Sequence, residues 1–192
     1  MIFSDESKFN LFGHDGKKRV WRKPHTELDE KNSNVNVKHG GGHVMVWGCF
    51  AAEGVGSLEF IEGIMTANSY IQILKKNLCQ SAEKLGLSDS FSFYQDNDPK
   101  HKAHSTRAWL SLNCPNILDT PPQSPDINPI ENLWDQLYKN VRQHSVSNKT
   151  EMKTWLLEEW HNLPANYFKK LVESMPRRLA AVIKAKGGHT KY

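Results

Sequence analysis

Residues 44 to 52, "VMVWGCFAA", form an unbroken apolar run between the glycines of "HGGGH" and the "EGVG" that follows. A run this short and this rich in aliphatic and aromatic residues reads as a strand covered on both faces, which requires helices on two sides of a sheet. The rest of the chain supplies the partners. "MIFSDESKFNLF" carries Ile2, Phe3, Phe9, Leu11 and Phe12 around a polar centre, and "GHDGKKRVW" leads through a Gly-Asp turn into another apolar run, so the opening reads as a hairpin. Residues 57 to 61 alternate and give a further strand.

The period then changes. "TANSYIQILKKNLCQSAEKLG" spaces Tyr70, Ile71, Leu74, Leu78, Ala82 and Leu85 as one helical face, with a cap expected at Asn68 or Ser69 and a stop at Gly86. "SFSFYQ" returns to strand spacing, "HKAHSTRAWLSLN" reads as one short helix, and "NILDTPP" as a brief strand ended by prolines. In "NPIENLWDQLYKNV", Asn128 is the expected cap, Pro129 the first helical residue and Glu131 the other half of a capping box; Ile130, Leu133, Trp134, Leu137 and Val141 share an apolar face. The C-terminal third reads as short amphipathic helices broken at Pro164 and Pro176. This order predicts an α/β fold, a mixed sheet flanked by helices.

Length and composition remove several classes. At 192 residues and 22.0 kDa the chain suits one domain, since domains commonly hold about 100–200 residues. No apolar stretch approaches the roughly 20 residues that cross a bilayer, and the N-terminus lacks the basic-then-apolar order of a secretory signal, so no membrane is expected. Cys49, Cys79 and Cys114 form no CxxC pair, which argues against a disulfide framework or zinc ribbon and for a reducing compartment. Net charge is +4, and between Lys17 and Lys38 seven Lys or Arg face three acids without a hydrophobic period. Such a segment suits a phosphate backbone, with a solvated loop as the competing reading.

Three acids fall where site residues sit in α/β folds: Asp5 inside the first strand, Asp96 ending "SFSFYQD", and Glu131 in the first turn of its helix. Three carboxylates in one place suit hard divalent cations, which prefer oxygen ligands and which in pairs clamp both oxygens of a phosphodiester displacement. Singly, each has an ordinary alternative as an edge-strand, turn or capping residue. His39 with His43, and His101 with His104, are spaced for a transition metal but lack zinc-type partners. Most of the tryptophans fall on apolar faces and read as core, Trp21 excepted, and "GGG" has no nucleotide-loop context.

"FSDESKFNLFG", "VWRK", "VKHGGGHVMVWGCFAAEGVG", "YQDNDPKH" and "QSPDINPIENLW" resemble the successive landmarks of the catalytic domain of mariner-superfamily transposases, closest to the Sleeping Beauty-like branch. The resemblance runs essentially end to end, and the 34 residues between Asp96 and Glu131 match the spacing of that branch. It implies a ribonuclease-H-like fold with a clamp-loop insertion at about residues 17–43 and a helical C-terminal end. It also implies a catalytic triad of Asp5, Asp96 and Glu131 holding two Mg²⁺ ions, with Mn²⁺ as substitute. Glu6 is expected on the opposite face of its strand, and Asp98, Asp126 and Asp135 in turn, loop and helix-surface roles. His101 is a candidate to orient a ligand or to contact DNA.

The activity so implied is cleavage at transposon ends and joining to a TA target in double-stranded DNA, in the nucleus, by a homodimer that the clamp loop helps to build. Lys17, Lys18, Arg19, Arg22, Lys23 and Lys38 are the candidate DNA contacts in that loop, where a partner subunit competes for them. Full-length relatives begin with a helix-turn-helix region, which is expected to be absent here together with its sequence-specific binding. Hence a second reading is a catalytically silent DNA-binding or dimerisation module derived from a transposase. A ribonuclease for RNA–DNA hybrids shares the fold and metals but not the landmarks.

Overall fold

The computed structural model describes residues 1–11, 42–88, 90–122, 124–188 and 190–192. Three antiparallel strands come first: β1 (Ile2–Asn10), β2 (His43–Ala51) and β3 (Gly54–Ile61). Then follow α1 (Ala67–Lys84), β4 (Ser92–Tyr94), α2 (Pro99–Lys102), α3 (His104–Asn113) and β5 (Asn116–Ile117). A 3-10 turn at Pro125–Ile127 leads into α4 (Ile130–Val141), α5 (Lys149–His161), α6 (Ala165–Glu173) and α7 (Met175–Lys184). The strands lie in the order β3-β2-β1-β4-β5, with β1 antiparallel to β2 and parallel to β4. The α/β expectation therefore holds. The second arm of the expected hairpin falls outside the described residues, and among those described no helix is long and apolar enough to cross a membrane.

Alternation along β1 and β2 sorts the core into two layers. Phe3, Phe9, Val44, Val46 and Phe50 pack with α4, α5 and α6 on one face. Ile2, Trp47, Cys49 and Ala51 pack with α1 and α3 on the other. The uninterrupted apolar run is thus a central strand covered twice over.

Local chemistry departs from the sequence reading at several ends. Thr66, not Asn68 or Ser69, caps α1: its hydroxyl accepts from the Ser69 N–H while Ser69 Oγ accepts from the Thr66 N–H, a capping box. Gly86 takes the left-handed φ of +69° and ends that helix as expected. The single helix expected after β4 is two, parted at Ala103, because Asp98 caps α2 through the Lys100 N–H and the chain turns before α3. The capping box of Asn128 and Glu131 does not form. Helix α4 starts at Ile130 with no side-chain cap, and Asn128 is buried instead.

Gly48 is where α4 seats. A Cβ built on Gly48 would lie 2.6 Å from Trp134 Cη2 and 3.2 Å from Trp160 Cη2. Those two indoles are stacked, 5.2 Å between centroids, and neither has room to retreat. Gly48→Ala should therefore cost about 1–3 kcal/mol through overpacking. Chemical denaturation checks this, and an unchanged midpoint would contradict it.

Candidate active site

Strand β1 turns Asp5 and Glu6 to opposite faces, as expected. Asp5 stands opposite Gly48 on the α4 face, and Glu6 opposite Trp47 on the α1 face. Glu131 lies exposed on the first turn of α4, one turn before the Trp134 that fills the space over Gly48. Asp96 follows two residues beyond β4.

Electrostatics link the three acids. Burial drives the Asp5 carboxyl well above its ordinary value, and Glu131, Glu6 and Asp96 push the same way, against one backbone hydrogen bond. Desolvation also raises Glu131, helped by Asp135 one turn along the helix and then by Asp96. Among the described residues no lysine or arginine pairs with Asp5 or Glu131. Asp96 goes the other way: desolvation would raise it, but hydrogen bonds from His101 and the Asp98 N–H, with the charges of His101 and Lys100, hold it below its ordinary value.

The sequence offers His101 as a residue that orients a ligand or contacts DNA, and its place in the fold suits the first role. Its ring is buried, 1% exposed, with Nδ1 2.5 Å from Asp96 Oδ1 and Nε2 3.1 Å from Glu6 Oε1. Asp98 caps α2, and Asp126 accepts the Thr190 N–H through Oδ2. Lys17, Lys18, Arg19, Arg22, Lys23 and Lys38, and with them the clamp loop to residue 41, lie outside the described residues.

Arg178 was not foreseen at all. Its guanidinium, 3% exposed, donates to the Asp126 carbonyl and to Asn132 Oδ1, so α7 ties down the approach to α4 and its first turn. Tyr167 adds a bond from its hydroxyl to the Asn132 carbonyl.

The donor set suits a hard cation: oxygen ligands with uncompensated negative charge, one of them fixed in a strand. Among the described residues no three His, Cys, Asp or Glu side chains are yet gathered tightly enough to hold a metal.

A mixed sheet in the order β3-β2-β1-β4-β5, flanked by helices on both faces, defines a ribonuclease-H-like domain. The DDE superfamily endonuclease family matches residues 1–153. The transposable element Tc1 transposase of Caenorhabditis elegans is 43% identical over 191 residues, which cover 100% of this chain and 70% of that protein. The Tcb2 transposase of Caenorhabditis briggsae is 42% identical with the same coverage. This chain belongs to the DDE superfamily endonucleases, among the transposases. In structure it is similar to the Mos1 mariner paired end complex with Mn, at TM-score 0.80 and 18% identity, covering 99% of this chain and 56% of that one. The corresponding Mg complex gives 0.81 and 20%, covering 99% and 56%. The chain thus spans little more than half the length of those solved relatives, and the likeness establishes the ribonuclease-H-like fold.

The buried imidazole makes a pH prediction. Desolvation alone would lower the His101 pKa, but hydrogen bonds and charges from Asp96 and Glu6 raise it from 6.5 to about 9. A raised value means stability fully present below pH 6.5 and lost as pH climbs through about 9. With chelator present, the melting temperature of the wild type should fall more steeply than that of His101→Gln between pH 7 and about 10. Parallel slopes would contradict the ion pair.

Proposed function

We propose that this chain is the catalytic domain of a cut-and-paste transposase, cleaving double-stranded DNA at transposon ends and joining the freed 3′ end to a TA target. Asp5, Asp96 and Glu131 are its metal-binding triad. The observation that carries this reading is the electrostatic convergence of those three acids, from β1, the segment after β4 and α4, with no cation among the described residues to offset Asp5 or Glu131. Identity of 43% across the whole chain to a transposase supports the reaction class.

When bound, two Mg²⁺ ions, or Mn²⁺ in their place, would supply Lewis acidity and charge neutralisation at the scissile phosphate. The chain's own residues do the rest. Asp5 is a donor fixed in β1, where it pairs with Gly48 of β2 just beyond the stretch that pairs with β4. Asp96 has Oδ1 engaged by His101 and by the Asp98 N–H, while Oδ2 has no hydrogen bond among the described residues. Glu131 completes the set from α4. No side chain is needed as a covalent nucleophile, because water and then a DNA 3′-hydroxyl serve in turn.

The further parts of the reading follow the relatives. Complexes described for Mos1 as paired-end, with a transposon end, and as strand-transfer support DNA as partner; a homodimer in contact through the clamp loop is part of the proposal. The nucleus is the proposed site of action, where chromosomal targets lie. A silent DNA-binding module is the second reading, favoured by the absence of a preassembled triad.

Nicking of a labelled duplex with pre-cut transposon-like ends separates the two. Metal-dependent cleavage or joining should occur and should drop about a hundredfold or more in Asp96→Asn. A folded wild type that cleaves no better than the variant would favour the silent module.

A further inference from the structure

Glu6 is costly to place where it is. It lies on the α1 face of β1, 10% exposed in its side chain and opposite the buried Trp47. A carboxylate in such a place needs partners, and its partners lead back to the candidate site. Glu6 Oε1 meets His101 Nε2 at 3.1 Å, and the same ring's Nδ1 meets Asp96 Oδ1 at 2.5 Å. The ring thus bridges the two carboxylates, one oxygen at each nitrogen.

The imidazole cannot swing away. Tyr70 of α1 lies against it, 4.1 Å between ring centroids, and the Tyr70 hydroxyl donates to Gln95 Oε1 at 2.7 Å, beside Asp96. The short helix that carries the ring is pinned as well. Lys100 Nζ reaches Glu6 Oε2 at 3.4 Å and Asp98 Oδ2 at 2.7 Å, and the Thr106 hydroxyl donates to the Lys100 carbonyl at 2.8 Å.

We propose that Glu6, acting through His101, is a positioning residue for Asp96: it fixes one carboxylate oxygen so that the other is presented toward Asp5 and Glu131 for a divalent cation. This rests on reading Asp96 as a metal ligand. One strand then sets two ligands, Asp5 directly on one face and Asp96 through a hydrogen-bonded relay on the other. Adjacent acids in an extended strand, Asp5 and Glu6, are the sequence mark of this arrangement.

The test is Mn²⁺ affinity of the folded chain, measured by calorimetric titration together with melting temperature, for the wild type, Glu6→Ala, Glu6→Gln and His101→Gln. Loss of the relay should weaken Mn²⁺ binding about tenfold in Glu6→Ala and His101→Gln. Glu6→Gln keeps an acceptor for Nε2–H and should stay within about threefold of wild type. A merely structural Glu6 would lower the melting temperature and leave the affinity of the folded protein unchanged, which overturns the proposal. Failure of Glu6→Gln to restore binding overturns it too. Should Glu6→Ala not fold, His101→Gln against Glu6→Gln decides on the same criteria. A wild type that binds no Mn²⁺ at all defeats the metal-site reading itself, whereas normal wild-type binding with unaffected variants defeats only the relay.

Discussion

The indole of Trp134 occupies the space that a side chain at residue 48 would need, and much of the molecule is arranged around that fit. Gly48 is the cross-strand partner of Asp5, so the ring that anchors α4 lands beside the strand acid. Glu131 precedes Trp134 by one helical turn on the same side of the helix, and seating the tryptophan therefore brings the glutamate toward Asp5. Trp160 stacks behind it and donates from Nε1 to the Gly56 carbonyl, which locks α5 to β3. Packing and site placement are one constraint here.

The two faces of the sheet divide the remaining work. On the α4 face, Arg178 and Tyr167 hold the first turn of α4 from the C-terminal helices. On the α1 face, Tyr70, His101, Glu6 and Lys100 hold Asp96. Between them, burial first and neighbouring carboxylates second raise the Asp5 and Glu131 carboxyls. Close carboxylates repel one another strongly where water is excluded, and a bound cation relieves that cost.

Much of this was legible from the chain. The apolar run at residues 44–52 and the alternation in "IFSDESKF" marked central strands, and the period of α1 and α4 marked helices. Asp5, Asp96 and Glu131 stand out from their places in a strand, at a strand end and in a helix's first turn, and the proposed site rests on them. What spacing missed were relations across the fold. The Asn128 capping rule counts residues along the chain, yet Asn128 is drawn into the interior by the 3-10 turn before it, which frees Glu131 from capping. Thr66 captured α1 because the helix begins one residue before the polar pair that spacing favoured. Nothing local in "PKHK" says that its histidine is buried, since burial depends on Tyr70 and Glu6, distant in sequence and adjacent only through the sheet.

The proposed function turns on whether Asp5, Asp96 and Glu131 hold a divalent metal together. Anomalous diffraction from crystals of the chain soaked in Mn²⁺ tests it most directly. The account predicts a manganese peak ligated by Asp5 and Asp96, with the Glu131 side chain drawn in toward it. Manganese bound elsewhere, or a site that leaves Asp5 without a metal contact, would contradict it.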